Sequence, residues 1–272
     1  MAQRSRARPQ VVAHRGASAA LAEHTLVAYQ QALADGADAL ECDVRLTADG
    51  HLVCVHDRRL ERTSDGRGVV STQTLDELEA LDFGSWKTPW RELDDEAPDV
   101  DADSRRVLTL RMLLEMLADY EARVELAIET KHPTRYAGLV ERRLVELLAE
   151  FGLAEPPPAE ESPVRVMSFS WLSMRRVREW SPRLPTVFLM ERVPLRCRAG
   201  DLPLGCRIAG LSIEAVREHP SQVARLHRRG NAVHVFTVNA VEDVTLCLEL
   251  GVEALITDRP SMTRELVEAV HG

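Results

Sequence analysis

Two acids stand two residues apart in the apolar run 39–46, Glu41 and Asp43. A β-strand turns successive side chains to opposite faces, so these two carboxylates point the same way. A third acid, Glu129, sits near the end of another such run, 124–130. Neighbouring strands would set it opposite the pair. Carboxylates gathered away from water repel one another, and they persist only if protonated or neutralised by a cation. Oxygen ligands without cysteine suit Mg2+ or Ca2+ rather than zinc. The competing structural role is ion pairing of Glu41 and Asp43 with Arg15 and Arg45.

His14 and His56 end two further short runs, 11–14 and 51–56. A single histidine is usually structural. Two beside a metal-type carboxylate set form a natural pair for proton transfer. Arg15 follows His14, and Lys131 lies two residues beyond Glu129. Both offer positive charge suited to a phosphate group.

These residues must be brought together by the elements that carry them. Short β-branched runs alternate with segments of helical period along most of the chain. The runs expected as strands are 11–14, 39–46, 124–130, 164–170, 185–190, 208–213, 232–238 and 254–257. An additional strand, 51–56, joins the second run through Asp49-Gly50, a strong hairpin turn. Thr25 and Thr109 are placed to cap helices, and further helices are expected over 136–151, 221–229, 242–250 and 261–270, with one ending at Trp180. Repeated strand–helix units imply a parallel sheet with right-handed crossovers. Eight of them in 272 residues favour a closed (β/α)8 barrel over an open doubly wound sheet. The expected domain runs over residues 10–272, with a small insertion after the second barrel strand at 57–107 and a flexible segment at 1–9. Barrel enzymes place their chemistry at the C-terminal ends of the strands, where His14, Glu41, Asp43 and Glu129 fall.

Composition narrows the function. The formal net charge is −9. General nucleic-acid binding rests on Lys and Arg neutralising phosphates, so that class is disfavoured. A local site for a small phosphorylated molecule is unaffected. No Gly-x-Gly-x-x-Gly follows a strand, which argues against a dinucleotide fold. The five cysteines form no Cys-x-x-Cys pair. Cys42 and Cys54 read as core residues, whereas Cys197 and Cys206 flank a loop, a position open to exposure. Residues 1–10 are basic without an apolar stretch, and nothing approaches the ~20 apolar residues of a membrane span. A cytoplasmic protein with no stable membrane insertion is expected.

Eight stretches together carry a family resemblance: VVAHRGAS, AEHTLVAY, GADALECDVRLTADGHLVCVHD, RTSDGRGVV, AIETKHP, VMSFS, VFTVNA and GVEALITDRP. Through them the chain resembles the glycerophosphodiester phosphodiesterases over nearly its full length. The resemblance implies a (β/α)8 barrel and one divalent cation, Mg2+ or Ca2+, on Glu41, Asp43 and Glu129. It implies His14 and His56 as the catalytic pair, with Arg15 and Lys131 near the phosphate. The implied reaction is metal-dependent hydrolysis of a small glycerophosphodiester to glycerol 3-phosphate and an alcohol, with the glycerol 2-hydroxyl as nucleophile. Two positions depart from the family pattern. His24 stands where Asn is common, and Phe236 where Trp is common. Two alternatives differ in class. One is a phospholipase-type diesterase acting on lysolipids or phosphoinositides, which needs an apolar lip at its mouth. The other is a non-catalytic binding barrel.

Overall fold

The computed structural model describes residues 8–88, 104–156 and 162–271. The acidic stretch 92–103 lies outside them, as do residues 1–7 of the N-terminal segment. Arg8 is tied to Asp38 by a 2.5 Å ion pair.

The strands are β1 (Gln10–His14), β2 (Ala39–Leu46), β3 (Leu52–Cys54), β4 (Glu125–Thr130), β5 (Val164–Ser168), β6 (Thr186–Met190), β7 (Ile208–Ser212), β8 (Ala232–Phe236) and β9 (Ala254–Thr257). All but β3 pair in parallel, and β1 pairs with both β2 and β9, so eight strands close into a barrel. β3 lies antiparallel on β2, with Val44 opposite Cys54. The helices are α1 (Leu26–Ala34), α2 (Leu75–Glu79), α3 (Leu110–Ala118), α4 (Leu139–Glu150), α5 (Trp171–Trp180), α6 (Ile213–Glu218), α7 (Ser221–Arg228), α8 (Val241–Leu250) and α9 (Pro260–His271). No helix of the described residues is long and apolar enough to cross a membrane.

Local chemistry accounts for the helix ends. Thr25, Thr109, Ser170 and Ser212 cap α1, α3, α5 and α6 by accepting a backbone N–H that the helix itself leaves unpaired. Thr74 and Glu77 form a reciprocal capping box on α2. The helix expected over 221–229 is α7, and a further short helix, α6, precedes it and ends before Pro220, which lacks the N–H that would carry it onward. Between β6 and β7 the link holds short 3-10 turns at Leu195–Cys197 and Pro203–Gly205 instead of an α-helix. Cys197 and Cys206, whose loop position is open to exposure, are buried in this link and unbonded. The Cys197 carbonyl accepts from Gln222, and Cys206 Sγ lies 3.4 Å from Thr186. The link is thereby folded inward against the barrel wall.

Alternation along the strands sorts the core. Val11, Ala13, Leu40, Cys42, Leu126 and Ile128 belong to the cluster shared with the helices. Val12, Ala39, Ala127, Met167, Val187 and Ile256 form the separate apolar layer inside the barrel. Two residues towards the strand starts, the interior becomes a polar floor. There, buried Arg165 bonds Glu125 at 2.6 Å and Gln10 at 2.8 Å. Two residues towards the strand ends stand His14, Glu41 and Glu129. Between β3 and α3 the chain builds a satellite core from Val55, Leu60, Val70, Leu78 and Phe83 against the arm.

Gly16 is where β1 must turn under α1. Its φ is +87°, and an added Cβ would lie 2.7–2.8 Å from the Ala28 carbonyl group. Gly152 also has positive φ, +72°, but open space around it. Gly16→Ala should therefore lower stability by about 2 kcal/mol or more, against roughly 1 kcal/mol for Gly152→Ala, where backbone strain acts alone. Urea denaturation of both variants checks this. Equal losses would show that the approach to Ala28 is not tight.

Candidate active site

Register brings the predicted residues to one mouth. His14 on β1 is opposite Glu41 on β2, and Asp43 is opposite Glu129 on β4. Glu41, Asp43 and Glu129 are buried, and each offers an oxygen within 4.8 Å of the others. His56, at the end of the arm, and Lys131, just past β4, complete the cluster.

Arg15 and Lys131 lie against these acids. Arg15 Nε is 2.9 Å from Asp43 Oδ2, and its backbone N–H donates to Glu41 Oε2 at 3.1 Å. The backbone reaches that oxygen from a left-handed conformation, φ +59°. Lys131 Nζ is 2.8 Å from Glu129 Oε1 and 3.3 Å from Asp43 Oδ1. Arg45 does not join them. It donates twice to the His56 carbonyl, at 2.7 and 3.0 Å, and so fixes the backbone of the arm. The suggested Arg45 pairing with Glu41 or Asp43 is corrected accordingly.

Both histidines are held at Nδ1. His14 Nδ1 lies 2.6 Å from Asp258, and His56 Nδ1 lies 2.6 Å from Asp57. With Nδ1–H committed to a carboxylate, Nε2 is the free position in each ring. His14 Nε2 is 4.0 Å from Glu41 Oε2. Burial, with help from Arg15 and Lys131, pushes His56 down to about 4 against the pull of Asp43 and Asp57. It is therefore neutral at neutral pH.

Several supporting residues were not assigned from the sequence. Asp258 accepts from Ser18 at 2.9 Å and from Asn239 at 2.6 Å, besides holding His14. Glu23 accepts from Arg15 and takes both ends of Arg62, which also grips Asp57 at 2.6 Å. A chain of ion pairs thus runs Arg15–Glu23–Arg62–Asp57–His56 from one side of the mouth to the other. Asp258 was findable, since it falls two residues beyond Ile256 in the inward series of β9. Arg62 was not, because only the fold of the inserted region brings it to Glu23. His24 is buried. Its Nε2–H donates to Asp43 at 3.1 Å, and its Nδ1 meets the Tyr29 hydroxyl at 2.8 Å. It braces Asp43 from behind. Phe236 stands edge-on to Phe169 at 5.7 Å. His132 turns away from the site to Glu141.

The electrostatics test whether a cation fits. Burial alone would raise all three acids. Arg15, Lys131 and His24 instead hold Asp43 well below the usual carboxylate range. Burial and the Asp43 charge push Glu41 well above it and Glu129 up to about 8. Two cationic side chains therefore suffice to ionise Asp43 but not all three acids, and Glu41 and Glu129 hold protons that a further cation would displace. Asp43 Oδ1 is also buried and makes no hydrogen bond, with only the Lys131 ion pair at 3.3 Å facing it. The all-oxygen cluster suits a hard divalent cation.

Acids and carboxylate-held histidines on the C-terminal face of a (β/α)8 barrel define the protein's class as a barrel hydrolase. The chain belongs to the glycerophosphoryl diester phosphodiesterase family, which it matches over residues 14–262. It is 46% identical to the "Probable glycerophosphodiester phosphodiesterase 1" of Mycobacterium tuberculosis, over 96% of this chain and 93% of that one. It is 31% identical to the glycerophosphodiester phosphodiesterase of Bacillus subtilis, over 92% and 84%. Among solved structures it is similar to a phosphodiesterase of Oleispira antarctica in complex with the product sn-glycerol-3-phosphate. That match has 26% identity and a TM-score of 0.78, covering 96% of this chain and 97% of that one. The protein is an enzyme that hydrolyses glycerophosphodiesters.

The raised Glu129 has a consequence for metal binding. Its folded value, about 8, exceeds its ordinary 4.5. Without metal, its stabilising contribution is complete below pH 4.5 and is lost as pH rises through 8. Metal requires the ionised form, so metal affinity should rise with pH across the range from about 6 to 8, with proton release on binding. Calorimetry in buffers of different ionisation enthalpy measures both. PH-independent affinity without proton release would remove Glu129 from the ligand set.

Proposed function

We propose that the enzyme releases glycerol 3-phosphate and a free alcohol, with His14 and His56 transferring protons across a phosphate seated over Glu41, Asp43 and Glu129. The observation that carries this reading is the pairing of each histidine with its own carboxylate, His14 with Asp258 and His56 with Asp57. That pairing leaves two Nε2 positions beside one buried acid cluster. The relative with sn-glycerol-3-phosphate bound supports the product assignment.

Glu41, Asp43 and Glu129 would hold one divalent cation, Mg2+ or Ca2+. Bound there, it supplies charge that neutralises the phosphodiester. Arg15 and Lys131 are placed to share that role, by letting go of the carboxylates in favour of phosphate oxygens. One histidine takes the proton of the attacking hydroxyl, and the other returns a proton to the departing alcohol. Asp258 and Asp57 hold the rings and stabilise the protonated form when it arises. Among the described residues no serine or cysteine meets either Nε2, which supports the substrate's own 2-hydroxyl as nucleophile. Its attack forms a cyclic phosphate, which water then opens. The described cysteines are buried and unbonded, which supports the cytoplasm as the compartment.

A second reading, hydrolysis of lysolipids, draws on one observation. Phe169, Trp171 and Leu172 follow β5 at the catalytic face and are 40–45% exposed. These residues form a short apolar lip that was not expected from the sequence. Lysophosphatidylcholine run beside glycerophosphocholine separates the two readings.

Glycerophosphocholine should be cleaved with added Mg2+ or Ca2+ and spared in EDTA. His14→Ala and His56→Ala should each reduce turnover by about 10²-fold or more, the scale of general acid–base catalysis. Near-normal turnover in either variant would exclude that histidine from proton transfer. A 2-deoxy analogue should bind but scarcely react, because it loses an effective concentration on the order of 10⁵ M. Hydrolysis of that analogue at the parent rate would rule out the cyclic intermediate and favour direct attack by water.

A further inference from the structure

Beside the acid cluster, on the side of the His56 arm, lies a cavity of about 240 Å³. Arg45, Arg58, Lys131 and Arg135 line it, with Tyr136 and Ser71, and among the described residues no carboxylate contributes to its lining. Arg45 is the residue that bonds the His56 carbonyl, and Lys131 is the residue on Glu129, so the cavity adjoins the proposed reaction centre through these two side chains. Arg58 and Arg135 are exposed at its rim. Neither forms an ion pair among the described residues. The Arg135 guanidinium lies over the Tyr136 ring at 5.6 Å, which holds it at the edge of the cavity. The remaining walls are mainly apolar, including Leu46, Val69 and Val140.

The physical content is a concentration of like charge. Lys131 is neutralised by Glu129 and Asp43, but Arg45, Arg58 and Arg135 carry charge that no ion pair among the described residues offsets, and an incoming anion relieves it. Glycerol is a neutral triol and gives such a cavity nothing to neutralise. A quaternary ammonium group is disfavoured there, since the lining offers it no anion and the one aromatic face is already covered by a guanidinium. The part of a glycerophosphodiester that varies, and that can carry a second charge, is the alcohol esterified to the phosphate.

We propose that this cavity is the head-group subsite and that it selects leaving alcohols bearing an additional anionic group, a carboxylate or a second phosphate, through Arg58 and Arg135. This proposal rests on the glycerophosphodiesterase reading above and adds a substrate class to it. Arg58 and Arg135 touch the head group and take no part in the proton transfers.

The cleanest probe pair is glycerophosphoserine and glycerophosphoethanolamine, whose alcohols differ by one carboxylate. Glycerophosphoinositol 4-phosphate distinguishes a phosphate from a carboxylate as the preferred anion. The measured quantity is kcat/KM for each ester at saturating metal. The serine ester should exceed the ethanolamine ester by about tenfold, with each exposed arginine contributing up to about fivefold, the upper scale of a surface ion pair. Arg58→Ala and Arg135→Ala should each shrink that ratio, mainly through KM. Arg58→Glu with Arg135→Glu should invert it in favour of ethanolamine and choline esters. Both side chains are at the surface, and the wild-type ratio is itself a test independent of any variant. A wild-type ratio at or below one for both anionic esters overturns the proposal while leaving phosphodiesterase activity intact. So does a high ratio that neither arginine substitution moves. Failure to cleave any of the esters overturns the underlying reading together with this one.

Discussion

Carboxylates held as closely as Glu41, Asp43 and Glu129 cannot all ionise without help. Two unit charges 4 Å apart repel by about 4 kcal/mol at an effective dielectric near 20. Much of the mouth of the barrel can be understood as the response to that repulsion. Arg15 comes to Asp43 through a left-handed backbone and a glycine that passes under α1. Lys131 spans Asp43 and Glu129. His24 adds a donor from behind, and buried Tyr29 fixes His24. Even so, Glu41 and Glu129 keep a raised proton affinity. A site made this way is tuned to attract a hard cation and, through the same two side chains, to exchange carboxylate contacts for phosphate.

The histidines depend on a second set of acids with a different task. Asp258 and Asp57 are held at about 2, burial notwithstanding, by their hydrogen bonds to His14 and to Arg62 and His56. They remain ionised at any working pH and so can orient an imidazole or stabilise an imidazolium. Charge-bearing groups here are thus divided by environment. Of the inner acids, Glu41 and Glu129 are crowded and hard to ionise beside an ionised Asp43, and the outer acids are paired and hard to protonate.

How much of this was legible in the sequence follows from the range of each interaction. Glu41 and Asp43 declare themselves because strand alternation is a two-residue rule. Glu129 and His14 follow once the strands are counted, since parallel register leaves little freedom. The capped helices were visible for the same local reason, through Thr25 and Thr109. α6 was not read, because its six residues span less than two turns and offer too little helical period. What could not be read were contacts that only the inserted region makes, such as Arg62 with Glu23. The burial of Cys197 and Cys206 was equally out of reach, because it is set by how the link between β6 and β7 folds against the barrel wall. His24 was recognisable as a departure from the family pattern, while its reach to both Asp43 and Tyr29 is a matter of three-dimensional distance.

The floor of the barrel has a bearing on traffic. Arg165, clasped by Glu125 and Gln10 beneath a packed apolar layer, shuts the far end of the strands. The catalytic chamber is a cul-de-sac rather than a tunnel. Whatever enters over the strand ends must leave by the same door. Incoming diester and outgoing fragments share one passage, so a fragment that lingers in it stands in the way of the next arrival.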